Sequence, residues 1–306
     1  MAGPDRDLQE SLDGLETETW NADGADLDLR STDELVELMN AQDLTVPVAV
    51  AAAAPALAAA IDEIAARLRD GGRLIYVGAG TSGRLAELDA AECEATFSAR
   101  PGQVTALMAG GTGGSPLEQE AAEDDAAAGE RELEALDVSA ADAVVAISAS
   151  GRTPYVVGAL GAAAAAGALT VCVVSVRDSE LARIARHEIA VPVGAEILTG
   201  STRLKAGTSQ KLVLNMISTI SMIRIGKTFG NLMVDVYPAN EKLEARVRRI
   251  VQLATGAPPE RVDEALAAAD GDAKVAIVSL IGGVDAQAAR ARLAAADGVV
   301  RRALEP

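Results

Sequence analysis

Leu74-Ile75-Tyr76-Val77 runs into Gly78-Ala79-Gly80-Thr81-Ser82-Gly83-Arg84, and Ala143-Val144-Val145-Ala146-Ile147 runs into Ser148-Ala149-Ser150-Gly151-Arg152-Thr153-Pro154. Each stretch is an apolar β run, then a turn of glycine and hydroxyl residues, then a helix start. Such a turn sets backbone N–H groups and Ser/Thr hydroxyls at the positive end of a helix dipole, which suits a phosphate. The repeated Ser-Gly-Arg suggests two loops of one sheet around one anionic ligand. The bland alternative is a pair of tight strand-to-helix turns. The first turn also fits Gly-x-Gly-x-x-Gly, whose dinucleotide-binding form needs an acid at the end of the second strand. That strand candidate, Gln103 to Met108, is followed by Ala109-Gly110-Gly111, with no carboxylate.

Working outward, strands at 74–78, 103–108, 143–148, 169–175 and 188–193 alternate with helices at 84–93, 116–135, 154–166 and 179–186. This alternation predicts an α/β fold, a parallel sheet flanked by helices, with ligands at the carboxyl ends of the strands. Before it lie a helix opening at Ser31-Thr32-Asp33-Glu34 and an Ala-rich helix from Val48 to Arg69. After it, a long helix from Ser209 to Lys227 is apolar on several sides, which predicts burial against the sheet and a second subunit, hence a homodimer. The tail holds three helices, Glu241 to Leu253, Pro259 to Ala269 and Asp285 to Ala295. The predicted units are 1–45, 46–239 and 240–306.

The 306 residues are 49% hydrophobic but only 2% aromatic, so the core must be packed from small aliphatic side chains. The net charge of −18 argues against nucleic acid and anionic membranes as partners. It also requires any phosphate site to be built locally. Residues 153–176 carry no charge, yet glycines interrupt them, and a buried helix followed by a buried strand explains them better than a membrane span. Cys93 and Cys172 fit a reducing compartment. The polar start Met1-Ala-Gly-Pro-Asp-Arg-Asp lacks signal-peptide features, so the sequence predicts a cytoplasmic protein.

The single histidine, His187, leaves few parts for a catalytic triad and reads as solvated or structural. No Cys/His spacing suits a metal, so none is predicted. Acid–base work falls to carboxylates, among which Glu92 and Glu123 stand out, although either can be read as a solvated face. Glu92 lies eight helical residues past Arg84, about 12 Å of rise, and reaches a site at the strand ends only by a bend or across a subunit interface.

The runs Leu74 to Glu92, Ser148 to Val156, Gly194-Ala195-Glu196, Thr199 to Thr208, Gly230 to Val236 and Asn240-Glu241-Lys242-Leu243 together resemble the N-acetylmuramic acid 6-phosphate etherases. Asp26-Leu27-Asp28 and Thr45-Val46-Pro47 match too. The chain departs from that pattern at Ala86, Ala91 and Glu94-Ala95. The resemblance implies a sugar-isomerase (SIS-type), flavodoxin-like sandwich with a small C-terminal helical bundle of UBA-like type. It implies a sugar phosphate as the small-molecule ligand, no cofactor, and cleavage of the C3 lactyl ether. Glu123, ionised, would take the C2 proton. Glu92, protonated and of raised pKa, would donate to the departing lactate. Phosphate and sugar contacts would come from Thr81, Ser82, Gly83, Ser148, Ser150, Gly151 and Thr153. Arg203 and Lys205 would neutralise an anion or serve as surface charge, and Glu196 would hydrogen-bond the ligand. A non-catalytic sugar-phosphate regulator of the same fold and an aldose–ketose isomerase are the rival readings.

Overall fold

The computed structural model describes residues 16–111, 113, 115–236 and 241–305. The polar N-terminal start and Asn240 of the Asn240–Leu243 motif lie outside them. The chain forms two compact units, 1–90 with 105–217 and 91–104 with 218–306. Their boundaries fall inside the helices Gly80–Phe97 and Lys205–Arg224 and at the start of the strand Val104–Met108.

The first unit is built on five strands, β1 (Leu74–Gly78), β2 (Val104–Met108), β3 (Ala143–Ile147), β4 (Leu169–Val174) and β5 (His187–Ala190), in the order β2-β1-β3-β4-β5. β1, β3, β4 and β5 pair in parallel. All residues of β1, β3 and β4 are buried, as continuous apolar runs covered on both faces require. On one face Ile75, Val77, Val144, Ala146 and Cys172 meet Tyr155, Val156, Ala159 and Leu160 of α7 (Pro154–Ala165). The scarcity of aromatics is met by close backbone packing between α6 (Ala126–Glu134) and α7. A Cβ on Gly129 would stand 2.0 Å from the Tyr155 carbonyl oxygen, and one on Gly158 2.0 Å from that of Ala126. The other face is covered by α3 (Ala54–Arg69), through buried Leu57, Ile61, Ile64 and Leu68.

Three predicted helices differ in a way that chemistry explains. The helix predicted over 48–69 is two, α2 (Val46–Ala52) and α3, because Pro55 starts a helix well but cannot continue one. The helix predicted over 116–135 is also two, α5 (Pro116–Ala122) and α6. Asp125 accepts the Ala128 N–H and caps a fresh start, leaving Glu123 at the end of α5. The long helix begins at Lys205 rather than Ser209 and runs to Arg224 as α9. Buried Glu196 supplies its cap from outside the helix, accepting the N–H groups of Lys205 (3.1 Å) and Ala206 (2.9 Å).

In the second unit, the tail after 240 has five helices rather than three. The additional Ala273–Gly282, outside the three predicted helices, is helical despite its Val275-Ala276-Ile277-Val278 run. Asp272 caps its start, left-handed Gly283 ends it, and those four residues are buried in the unit's core. Thr228–Phe229 and Leu232–Met233 add a short antiparallel pair joined through Gly230-Asn231. Among the described residues no single helix is long and apolar enough to cross a membrane. The charge-free run is α7 followed by β4.

At the amino ends of β1 and β3, buried Asp142 accepts the Arg73 N–H (3.0 Å), Arg73 Nε (3.0 Å), Arg73 Nη2 (2.9 Å) and the Ser139 N–H (3.0 Å). Burial pushes the Asp142 carboxyl up, and these bonds overcome it and hold the carboxyl below its ordinary value. A depressed folded-state pKa stabilises the fold above the unfolded value of about 3.9 and loses that stabilisation as pH falls through the folded value. Asp142→Ala is expected to lower stability at pH 7 by about 3 kcal/mol. Denaturant titrations should show a smaller loss in the variant than in wild type between pH 5 and 2; parallel pH profiles would show that the pair contributes nothing.

Candidate functional site

The strand order reverses direction between β1 and β3, so the chain leaves them toward opposite edges and opens a crevice at their carboxyl ends. A cleft of about 510 Å³ occupies that place. It is lined from β1 by Ala79 to Ser82 with Arg84, and from β3 by Ile147 to Ser150 with Thr153. Gly200 to Arg203, the α5 residues Gln119 and Glu120, and Glu123 just past the end of α5 complete it together with Thr17 and Glu18.

The two loops lead into the starts of α4 (Gly80–Phe97) and α7 at the strand ends; Pro154 of α7 carries no N–H, and the Tyr155 N–H is taken by the Glu123 carbonyl. On the β3 loop, Ser148 Oγ lies 2.9 Å from Thr153 Oγ1 and 3.4 Å from Ser150 Oγ, and accepts the Gly151 N–H at 3.1 Å. On the β1 loop, Ser82 donates to Gln210 Oε1 of α9 at 2.9 Å. Arg84, held by Gln119 Oε1 at 2.8 Å, and Arg203 bring positive charge to a strongly acidic chain.

Glu123 stands where the loops converge. Its backbone N–H bonds Glu120 O and its carbonyl accepts the Tyr155 N–H at 3.0 Å, so its main chain caps the start of α7. Its carboxylate comes so close to the β1 loop that a Cβ on Gly80, whose φ is +51°, would stand 2.8 Å from Oε1. Any side chain at position 80 would displace the acid. Burial raises the Glu123 pKa, Glu120 and Asp124 raise it further, and Arg84 opposes them.

Of the residues singled out in the sequence, the cleft gathers Thr81, Ser82, Ser148, Ser150, Thr153, Arg203 and Glu123. Gly83 and Gly151 shape the turns: their N–H groups bond Ala79 O and Ser148 Oγ, both at 3.1 Å. Glu196 and Lys205 do not line the cleft. Both oxygens of Glu196 cap α9, and Lys205 Nζ donates to Gln42 Oε1 (2.9 Å) and Ala195 O (2.8 Å). Glu92 lies on an exposed face of α4 and does not line it either. The raised pKa expected for the proton donor is thus found at Glu123. His187 sits on β5 against Glu63 Oε1 at 3.0 Å, in a structural role. Thr17, Glu18, Arg84, Gln119, Glu120 and Gln210 were not nominated. Gln119 and Glu120 carried a signal, each lying one turn before Glu123 on a predicted helix, and Arg84 closed the first Ser-Gly-Arg turn.

Two family models match the sheet unit, the glucokinase regulatory protein N-terminal SIS domain over residues 56–164 and the SIS domain over residues 125–220. Among solved structures, a phosphoheptose isomerase from Francisella tularensis shares the fold, with a TM-score of 0.50 and 16% identity over 63% of this chain and 100% of that one. Similarity is far higher to two bacterial N-acetylmuramic acid 6-phosphate etherases. That of Streptomyces avermitilis is 54% identical over 299 residues, covering 98% of this chain and 96% of the relative. That of Rubrobacter xylanophilus is 56% identical over 297 residues, covering 97% and 98%. Over practically its whole length, and with a hydroxyl-lined cleft that includes the Glu123 carboxylate, the chain belongs to the N-acetylmuramic acid 6-phosphate etherase family.

Proposed function

We propose that this cleft cleaves the D-lactyl ether of N-acetylmuramic acid 6-phosphate, giving N-acetylglucosamine 6-phosphate and D-lactate. The observation that carries the reading is the Glu123 carboxylate, which lines the same crevice as two hydroxyl-bearing loops and lies close against Gly80 of the first. Full-length similarity to proteins named for this activity sets aside a non-catalytic regulator of the same fold.

The chemistry follows from the groups available. Thr81, Ser82, Ser148, Ser150 and Thr153 hold the phosphate at the two helix starts, with Arg203 neutralising an anionic end of the substrate. Ring opening exposes an aldehyde at C1, which acidifies the C2 hydrogen. Glu123 removes that proton. The electron pair left at C2 forms a C2–C3 double bond as the C3–O bond breaks, and Glu92 protonates the departing lactate oxygen. Water then adds at C3, giving a proton to Glu92, while Glu123 returns its proton to C2. A raised pKa makes Glu123 a stronger base while it is ionised, which suits this role.

Glu92 acts, on this reading, from the second subunit of a homodimer. Its exposed position on α4 supports that, as does Leu88, exposed one turn earlier on the same stripe. Met216 and Ile223, also exposed, lie two turns apart on α9. Cytoplasmic placement agrees with Cys93 and Cys172, both buried free thiols.

Glu123→Gln is expected to lose both lactate release and exchange of the C2 proton with solvent deuterium, each on the order of 10²-fold or more. Glu92→Gln should lose lactate release and keep C2 exchange. Wild-type C2 exchange in Glu123→Gln, read by NMR, would remove the base assignment. Mixing the two inactive variants should restore about a quarter of wild-type activity if each site draws on both subunits, since half the dimers then carry one intact site. No recovery places both glutamates in one chain.

The acid limb of the kcat/KM profile reports the base. It should lie above the ordinary glutamate value, with activity falling as pH drops through the Glu123 pKa. Glu120→Gln removes a neighbouring negative charge, eases ionisation of Glu123 and should move that limb to lower pH. An unmoved limb would mean that another group titrates.

A further inference from the structure

The N-terminal segment has no part in the acid–base scheme, yet it reaches the cleft. Thr17 is the sole buried residue of the short turn Glu16–Glu18, at 2% exposure. It lines the cleft, and its Oγ1 is buried with no hydrogen-bond partner. A buried hydroxyl without a partner is costly, so this position is unfavourable for the free protein unless something else completes it. Glu18 lines the cleft beside it, with Oε2 2.9 Å from where a Cβ on Gly200 would stand.

The segment is not draped there loosely. Asn21 Nδ2 donates to Ala195 O at 3.2 Å. Gln42 binds both Asp23 Oδ2 (3.3 Å) and Lys205 Nζ (2.9 Å). A Cβ on Gly24 would stand 2.5 Å from the Ile197 carbonyl oxygen. These ties fix Thr17 and Glu18 against the stretch that supplies Gly200 and Arg203 to the cleft.

We propose that Thr17 and Glu18 form a specificity edge that reads the hydroxyl and amide groups of the bound amino sugar. The chemistry assigns the two roles. An ionised Glu18 only accepts hydrogen bonds and repels the phosphate and the lactyl carboxylate, so it faces a donor, a sugar hydroxyl or the acetamido N–H. Thr17 donates and accepts, and the ligand supplies the partner its hydroxyl lacks. A site built to bond a polar group discriminates strongly against analogues without it, because its own buried groups are then left unpaired. The inference rests on the sugar-phosphate reading of the cleft but not on ether cleavage.

The test is therefore direct binding, with activity as a separate readout. Calorimetry would measure N-acetylglucosamine 6-phosphate, glucose 6-phosphate and inorganic phosphate on wild type, Thr17→Val, Thr17→Ser and Glu18→Gln. Thr17→Val keeps the shape and removes only the hydroxyl. Its affinity for N-acetylglucosamine 6-phosphate should fall roughly tenfold, with an unchanged or raised melting temperature and unchanged affinity for inorganic phosphate. Thr17→Ser should stay within about threefold of wild type, since the hydroxyl remains. Glu18→Gln should narrow the preference for the acetamido sugar over glucose 6-phosphate. Wild-type affinities in both Thr17→Val and Glu18→Gln would overturn the proposal, as would an equal loss for inorganic phosphate. A wild-type protein that binds the sugar phosphate but releases no lactate would instead overturn the etherase reading and leave this one standing.

Discussion

The register of β1 against β3, from Leu74 opposite Ala143 to Gly78 opposite Ile147, is the constraint on which the site depends. A slip of one residue would turn every side chain of one strand to the other face and separate the two loops. Both ends of the pair enforce the register. At the amino ends, Asp142 grips the Arg73 backbone and guanidinium together, and Ala143 N–H bonds Arg73 O at 2.8 Å. At the carboxyl ends, Ala79 and Ser148 leave adjacent strands at the same height. Two helix starts then converge on one ligand-sized space, which neither strand could form alone.

The same place resolves the electrostatic conflict in the chain. A protein of net charge −18 repels an anionic substrate at long range, yet the cleft presents Arg84, Arg203, five Ser/Thr hydroxyls from the two loops and two helix starts. Short-range donors act over a few ångströms, well within the screening length of about 8 Å at physiological salt. The surplus acid then has a local use. Glu120 and Asp124 act with burial to hold the Glu123 pKa up, making it a better base than a solvated glutamate. Arg84 works against them on that same carboxyl.

The five strands and both hydroxyl loops were legible because apolar runs and glycine turns are local signals. What escaped the sequence depends on partners distant in the chain. The break at Glu123 to Asp125 is set by Asp125 capping a new helix while the Glu123 carbonyl meets Tyr155, 32 positions on. The early start of α9 depends on Glu196, which read as a ligand-binding acid because an isolated Glu gives no sign of being a cap. Helix Ala273–Gly282 is β-branched by composition and helical by burial, where tertiary packing overrides propensity. Thr17 lay in a polar stretch whose only local pattern was acidity. Its place at the cleft is tied down by neighbouring Asn21, whose side chain bonds Ala195 O, 174 positions away.

Asp142, Glu196 and Asp89 are buried acids whose carboxylates are matched by fixed donors, Asp89 by Tyr76 Oη (2.9 Å) and Asn215 Nδ2 (3.0 Å). At the cleft the matching is incomplete. Thr17 Oγ1 has no partner, and Gln210 spends its carbonyl on Ser82 while its buried Nε2 has none. A buried polar group left unpaired costs about 1–3 kcal/mol, so such groups weaken the free protein. A ligand that pairs with Thr17 recovers that cost on binding, and one that cannot leaves it in place. Arg67 Nε, Ser175 Oγ, Glu188 Oε1 and Ser221 Oγ are also buried without a partner, but they lie away from the cleft, so the unpaired Thr17 hydroxyl is the one that turns a deficit of stability into discrimination between ligands.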